Sequence, residues 1–240
     1  MSIVLSFTVK EDVYFYYLLI GSLTSLFTVI YILLVLIFGL TDNRKSGNGL
    51  NGKEISKDDL TVVVPVYKED PTIFEKVVSA IRKEKVKFIV VGDGCSSPYK
   101  EITEKNGGKF VYLKERGGKR KALREGLKYV KTPFVMFLDS DTILPRGSIE
   151  KLLSRFEDNV GAVSPEVSIL STKSEYVGYV SEMMQRLRDI SYRALSKFGS
   201  VISVNGQCVI YRTGLIKPFV MSSEFDNVKV LGFRTILGDD

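Results

Sequence analysis

From Val13 to Leu40 the chain runs for 28 residues without Asp, Glu, Lys or Arg, rich instead in Leu, Ile, Phe, Tyr and Val. A helix of that length would extend about 42 Å, past the ~30 Å hydrocarbon core of a bilayer, so the pattern predicts one tilted membrane-spanning helix. The stretch is about twice the length of a signal-peptide core and no small-x-small cleavage site follows it, which reads as an uncleaved anchor. Lys10 is the one basic residue before the span, whereas Arg44, Lys45, Lys53 and Lys57 follow it closely. That bias puts the large C-terminal part in the cytoplasm, at the plasma membrane, and Tyr14, Tyr16 and Tyr17 fit interfacial aromatics at the outer end.

Residues 41–59 switch to Asn, Gly, Ser, Lys and Asp, the composition of a linker. After it, short apolar runs alternate with helical spacing. Residues 60–66, LTVVVPV, predict a buried strand, and 88–91, 109–113 and 134–138 predict three more. Ile73, Phe74, Val77, Val78 and Ile81 recur at helical spacing, as do Ala122, Leu123, Leu127 and Val130. The expected organisation is a tail 1–12, a span 13–40, a linker 41–59 and one α/β domain 60–240. Strand-helix alternation implies right-handed β-α-β units and a mostly parallel sheet with helices on both faces.

Ligands in such sheets bind beyond the carboxyl ends of the strands. Pro65-Val66-Tyr67-Lys68-Glu69-Asp70 stands at the first such end, Gly92-Asp93-Gly94-Cys95-Ser96 at the second and Asp139-Ser140-Asp141 at the one after Leu138. Each alone reads better as a helix cap. Three in succession on one rim point to a site.

Composition narrows the chemistry. With no histidine, imidazole bases, Ser-His triads and His-ligated zinc are excluded. Two cysteines, Cys95 and Cys208, make neither a disulfide framework nor a four-thiolate metal site. Lys plus Arg total 34 against 28 Asp plus Glu, a net charge of +6, which favours anionic partners.

Two carboxylates one residue apart after a strand, Asp139 and Asp141, can reach a hard divalent cation and leave it open positions for phosphate oxygens. Such an ion neutralises a leaving diphosphate. The basic residues between Lys114 and Lys131 face only Glu115 and Glu125, and most such runs are solvated helix faces, as Lys128 and Lys131 read here. Gly117-Gly118, however, lets backbone approach an anion, and Lys119 and Arg120 open the following helix at its positive dipole end. The spacing is not that of a Walker A loop. No aromatic-basic interleaving on a strand supports nucleic acid, which is not expected as a partner.

In order and spacing, Val64-Pro65-Val66-Tyr67-Lys68-Glu69, Val91-Gly92-Asp93-Gly94, Gly117-Gly118-Lys119-Arg120, Leu138-Asp139-Ser140-Asp141-Thr142, Val160-Gly161-Ala162-Val163 and Leu237-Gly238-Asp239-Asp240 resemble the membrane-bound family 2 glycosyltransferases of the GT-A fold. The likeness is to the hyaluronan and chitin synthase branch, with cellulose synthases more distant. It implies a GT-A, Rossmann-like mixed sheet and a nucleotide-sugar donor, UDP-linked. Asp93 would bond the base, with Pro65, Tyr67 and Glu69 around the same pocket. Lys119 and Arg120 would line the donor site, Asp139 would contact the donor, and Asp139 with Asp141 would hold Mg²⁺ or Mn²⁺. Asp240, with Asp239 beside it, would deprotonate the acceptor hydroxyl in a single inverting displacement. Residues 174–198 would be a long helical stretch leading to the acceptor side, and the partners implied are a growing glycan or lipid acceptor and the bilayer.

Two departures stand out. Asn205-Gly206-Gln207-Cys208 occupies a segment where that branch has Ser-Gly-Pro-Leu, which bears on acceptor choice. The family also continues past Gly-Asp-Asp with a Gln-x-x-Arg-Trp motif and more membrane helices, whereas this sequence has no Trp and stops at Asp240. The expectation is a domain truncated at its C-terminal end, or one that acts with a second chain. Two further readings remain: a non-processive polyprenyl-phosphate glycosyltransferase, which the Gly-Asp-Asp disfavours, and a catalytically incompetent subunit that only binds nucleotide sugar.

Overall fold

The computed structural model describes residues 11–41, 54–170, 174–201, 203–225, 229–230 and 233–234. Packing divides the chain into two bodies, one of Met1–Asn43 with Ser168–Ile202 and one of Arg44–Val167 with Ser203–Asp240.

The second body is built on a six-stranded sheet. Its elements run β1 (Leu60–Val66), α2 (Pro71–Glu84), β2 (Lys87–Asp93), α3 (Tyr99–Lys105), β3 (Lys109–Leu113), α4 (Lys119–Leu127), β4 (Phe134–Leu138), α5 (Ser148–Leu153), β5 (Ala162–Val163), β6 (Cys208–Arg212) and α7 (Thr213–Met221), where α1 (Glu11–Leu40) and α6 (Glu175–Lys197) belong to the other body. Strand order is β3-β2-β1-β4-β6-β5. β1 pairs parallel with β2 and β4, and β2 with β3, while β6 runs antiparallel to both β4 and β5. The chain steps from β1 outward to β3 and then returns to the other side of β1. A crevice therefore opens at the β1–β4 switch point, beyond the carboxyl ends of β1, β2 and β4.

Every residue of β1 is buried, as a central parallel strand with helices on both faces requires. Pro65 has no N–H to give, and it sits where the β4 ladder has already ended at Val63, so the missing donor costs no second partner. One apolar layer, with Val62, Val64, Phe74, Val78 and Met136, lies under α2; the other, with Val63, Val91, Leu123, Leu127 and Val135, lies under α4. α2 starts at Asp70, whose carboxylate accepts from the amides of Thr72 (2.7 Å) and Ile73 (3.2 Å), with Pro71 at its first position.

The first body pairs α1 (Glu11–Leu40) with α6 (Glu175–Lys197). The helix read at 174–198 thus forms as expected but packs with the apolar N-terminal helix. A short antiparallel pair, Lys229–Val230 with Phe233–Arg234, completes the described elements.

Candidate active site

The three strand ends named from the sequence lie on one rim, and hydrogen bonds tie them together. At the end of β2, Asp93 is buried and its carboxylate accepts from two consecutive amides, Gly117 N at 2.6 Å and Gly118 N at 2.8 Å. Gly94 has φ +72° and donates to the Leu113 carbonyl at 3.0 Å; a side chain there would also crowd the Arg116 backbone. Gly118, at φ +85°, sets the entry to α4. These contacts fix the backbone just before Lys119, so the helix starts at a defined point facing the crevice.

At the end of β1, Tyr67 is exposed and carries the Arg116 guanidinium 4.2 Å from its ring centroid. Lys68 adopts φ +48°, a left-handed turn that costs a non-glycine residue about 1–2 kcal/mol and turns the chain toward Glu69. Glu69 Oε1 accepts from the Asp70 amide at 3.0 Å, and its Oε2 accepts from Ser140 Oγ at 3.1 Å. The β1 loop is thereby linked to the Asp139-Ser140-Asp141 loop. Tyr99 donates to the Glu69 carbonyl at 2.6 Å, and the Cys95 thiol to the Val66 carbonyl at 3.3 Å, so both loops rest on one framework.

At the end of β4, Lys119 Nζ stands 2.5 Å from Asp139 Oδ1. Burial pushes the Asp139 carboxyl above the usual carboxylate range; Lys119 opposes the rise and the charge of Asp141 adds to it. Asp141 is exposed beside it. The Asp139 amide donates to the Gln207 carbonyl at 2.9 Å, which brings Asn205-Gly206-Gln207-Cys208 to the same rim. Two polar atoms there, Asn205 Nδ2 and Gln207 Oε1, are buried and without hydrogen-bond partners among the described residues. The Cys208 thiol, buried and facing the Asp139 charge, is pushed up to about 12.

The donor set suits a hard divalent ion. Asp139 and Asp141 are oxygen donors whose charges oppose each other, and a cation, the Lys119 ammonium, already stands on Asp139. Among the described residues no three acidic or thiol groups converge, so an ion held here would keep positions open for water and phosphate oxygens.

Of the residues named from sequence, Pro65, Tyr67, Glu69, Asp93, Lys119, Asp139 and Asp141 lie at these strand ends. Arg120 turns away from Lys119: its guanidinium donates to the Phe225 carbonyl at 3.3 Å, beside Arg124, which bonds the Val220 and Ser222 carbonyls. Asp239 and Asp240 lie outside the described residues. Arg116, Ser140 and the Gly117 and Gly118 amides were not singled out for these contacts by sequence reasoning. The signal for Arg116 was present, a cation directly before the Gly-Gly pair; the Glu69–Ser140 bond spans 71 positions and had none. A separate open groove of about 910 Å³ between α2 and the Ile143–Arg146 segment contains none of these residues.

A parallel sheet with an antiparallel β6, a switch-point crevice and an acidic rim faced by a basic helix start define a nucleotide-diphospho-sugar transferase fold of the GT-A kind. The family model for glycosyl transferase family 2 matches residues 61–218, and the chain belongs to that family. It is similar to an N-acetylglucosaminyltransferase of Azorhizobium caulinodans, 27% identical over 191 residues, 75% of this chain and 48% of that protein. It is also similar to the poly-β-1,6-N-acetyl-D-glucosamine synthase of Staphylococcus aureus, 29% identical over 186 residues, 72% of this chain and 45% of that protein. The chain spans about half the length of these curated relatives. Among solved structures, a Pyrobaculum calidifontis mannosyltransferase in complex with GDP-Man and Mn²⁺ superposes with a TM-score of 0.57 at 18% identity, over 80% of this chain and 56% of that one, a likeness of fold.

Proposed function

We propose that the chain is the anchored donor-binding part of an inverting, metal-dependent glycosyltransferase. It takes a UDP-linked sugar and extends a polysaccharide or glycolipid at the cytoplasmic face of the plasma membrane. The observation that carries this reading is the convergence of Asp93, the Gly117–Gly118 turn, Lys119, Asp139 and Asp141 at the ends of β2 and β4.

Tyr67, stacked by Arg116, offers an exposed aromatic surface for a base, with Pro65, Glu69 and Asp93 shaping that pocket. Asp93 acts here by holding the Gly-Gly turn. Lys119 supplies positive charge to the diphosphate side, and Arg120 braces the α4 start against the segment near Phe225. Asp139 and Asp141 would hold Mg²⁺ or Mn²⁺, which when bound acts as a Lewis acid on the leaving diphosphate. Asp240, with Asp239, is the proposed base for the acceptor hydroxyl, a role that suits a protein with no histidine. The similar mannosyltransferase carries GDP-Man and Mn²⁺, and the curated relatives bear hexosamine transferase and polysaccharide synthase names, which support a nucleotide sugar and a glycan acceptor. The apolar helix Val13–Leu40 supports the bilayer as partner.

The test is UDP binding to the full chain by calorimetry, with and without Mn²⁺. Asp141→Asn should abolish the metal-dependent part of the affinity and leave the metal-independent part. Unchanged metal dependence in that variant would remove Asp141 from the metal site. UDP release from a panel of UDP-sugars then identifies the donor, and no release from any of them would favour a chain that binds but does not turn over alone.

A further inference from the structure

We infer that α6 is an interfacial helix whose apolar arc lies in lipid at the membrane surface, at the C-terminal end of α1; the inference rests on reading α1 as the membrane span. At 100° per residue, Tyr176, Tyr179, Val180, Met183, Met184 and Leu187 fall within an arc of about 140° on α6. Glu175, Ser181, Glu182, Gln185 and Asp189 occupy the other side. The usual burial of a soluble helix is inverted on this arc: Tyr176, Tyr179 and Met184 are 76%, 72% and 62% exposed, Met183 and Leu187 are exposed with them, Val177 is exposed at the arc's edge, and Val180 is half-buried. Six large apolar side chains in one exposed patch exceed what an aqueous surface tolerates without a partner.

The packing of α1 on α6 says what that partner is. Every residue of α1 from Val13 to Leu34 is exposed, and burial begins only at Val35, Phe38 and Gly39. α6 therefore meets α1 in its last turns and does not run along the span. Phe38 and Phe198 form an edge-to-face pair with centroids 5.2 Å apart, and Lys197 Nζ donates to the Thr41 carbonyl at 2.9 Å. Gly39 lets the Ile190 backbone come close, since a Cβ there would lie 2.5 Å from the Ile190 carbonyl oxygen. These contacts put the second half of α6 at the level where the apolar run ends and Thr41 begins, which is the bilayer surface for a spanning α1. That half carries Arg186, Arg188, Arg193 and Lys197 against Asp189 alone, the cation excess expected beside anionic headgroups. Ile190, which meets Gly39 of α1, falls on the same side of α6 as the apolar arc, and exposed Tyr176 and Tyr179 suit the headgroup boundary.

The sequence contains no tryptophan, so one introduced indole reports one position. Single-Trp variants Met184→Trp and Leu187→Trp on the arc, Ser181→Trp and Gln185→Trp on the polar side, and Leu33→Trp in the span would be made in the full chain. Each would be reconstituted in phosphatidylcholine–phosphatidylglycerol vesicles with and without acyl-brominated lipid. The expected result is blue-shifted emission and bromine quenching at 184 and 187 approaching that at 33, with little at 181 and 185. Blue-shifted emission at 184 and 187 without quenching would mean protein, such as a second copy of the chain, covers the arc, and would overturn the inference. Absence of quenching at 33 would overturn the membrane reading itself, a separate outcome. Tyr179→Trp, an aromatic exchange, repeats the arc measurement with the least disturbance to folding.

Discussion

Lys119 Nζ and Asp139 Oδ1 stand 2.5 Å apart, and this pair joins the first residue of α4 to the residue after β4. One residue earlier, the Gly118 amide is held by Asp93 from the end of β2. The start of α4 is thus fixed from two strands on either side of β1. In the proposed reaction Lys119 has two claims on it, the Asp139 carboxylate and the donor diphosphate.

Replacing Lys119 by Met should weaken nucleotide-diphosphate binding by about tenfold or more, the worth of one charge-assisted hydrogen bond. The fold should survive, since both side chains keep access to solvent. Calorimetric titration with UDP, alongside a thermal melt, separates the two effects; a large loss of melting temperature with intact binding would reverse the assignment.

Asp139 gives a prediction whose sign follows from its raised carboxyl. The native state holds this proton to higher pH than the unfolded chain, so stability falls as pH rises through the window between the two values, and the full penalty stands above it. Asp139→Asn removes the titration. Its melting temperature should equal or exceed the wild type near pH 7, with the difference shrinking as pH falls below about 4, the ordinary carboxylate value. Metal-dependent binding should be lost at every pH. A variant less stable at pH 7 than at pH 4, relative to wild type, would contradict the sign.

Asp93→Asn tests the clamp. Asp93 accepts two amides with two carboxylate oxygens, and Asn offers one oxygen and one donor in the same place. One of the two amides, both on residues that keep some access to water, loses its acceptor and meets an N–H donated from the buried position 93, a cost of about 1 kcal/mol. Chemical denaturation should show that loss, and UDP affinity should fall with it, because the Gly-Gly turn that positions Lys119 is released. Stability loss with unaltered affinity would confine Asp93 to the fold.

Much of this was legible in the sequence for a physical reason. Leu60–Val66 is legible as a strand because it is short, carries Thr61 and four valines, holds Pro65 where a helix would lose a bond, and ends in Tyr-Lys-Glu-Asp at a polar rim. The same holds for Phe134–Leu138 and the carboxylates after it. β6 was not legible, since Cys208–Arg212 has the residues of a half-buried strand and nothing local to set its antiparallel direction; that comes from its ladder with β4. The Glu69–Ser140 bond, the Arg116–Tyr67 stack and the double amide clamp on Asp93 depend on where loops return after tens of residues, which periodicity does not carry. Arg120 makes the same point from the other side. It adjoins Lys119 in sequence, but successive helix positions point about 100° apart, and it serves the Phe225 backbone.

The two thiols differ in what they can do. Cys208 is held at about 12 by burial first and by Asp139 second, so almost none of it is thiolate at pH 8. Iodoacetamide at that pH should leave Cys208 unmodified in the folded chain and modify it after denaturation, as read by peptide mass spectrometry. Native-state alkylation at the denatured rate would show that the β4–β6 edge opens readily.

Gly126 makes a test of how closely α4 must approach the sheet. A Cβ there would lie 2.5 Å from Val63 Cγ1 and 3.0 Å from Val91 Cγ2, both on fully buried residues of the central strands. Alanine favours the helix by about 1 kcal/mol over glycine, which argues for a gain. Overpacking a filled core costs about 1–3 kcal/mol, and neither valine has room to yield. The expected net effect of Gly126→Ala is destabilising by about 1 kcal/mol, with α4 lifted from β1 and Lys119 displaced from Asp139, so UDP affinity should drop as well. Val63→Ala in the same chain vacates the colliding methyl, and the double variant should regain affinity that the single one lost. If Gly126→Ala instead stabilises the protein and leaves UDP binding untouched, α4 is not pressed onto the sheet at this point, and its hold on Lys119 must come from Asp93 alone.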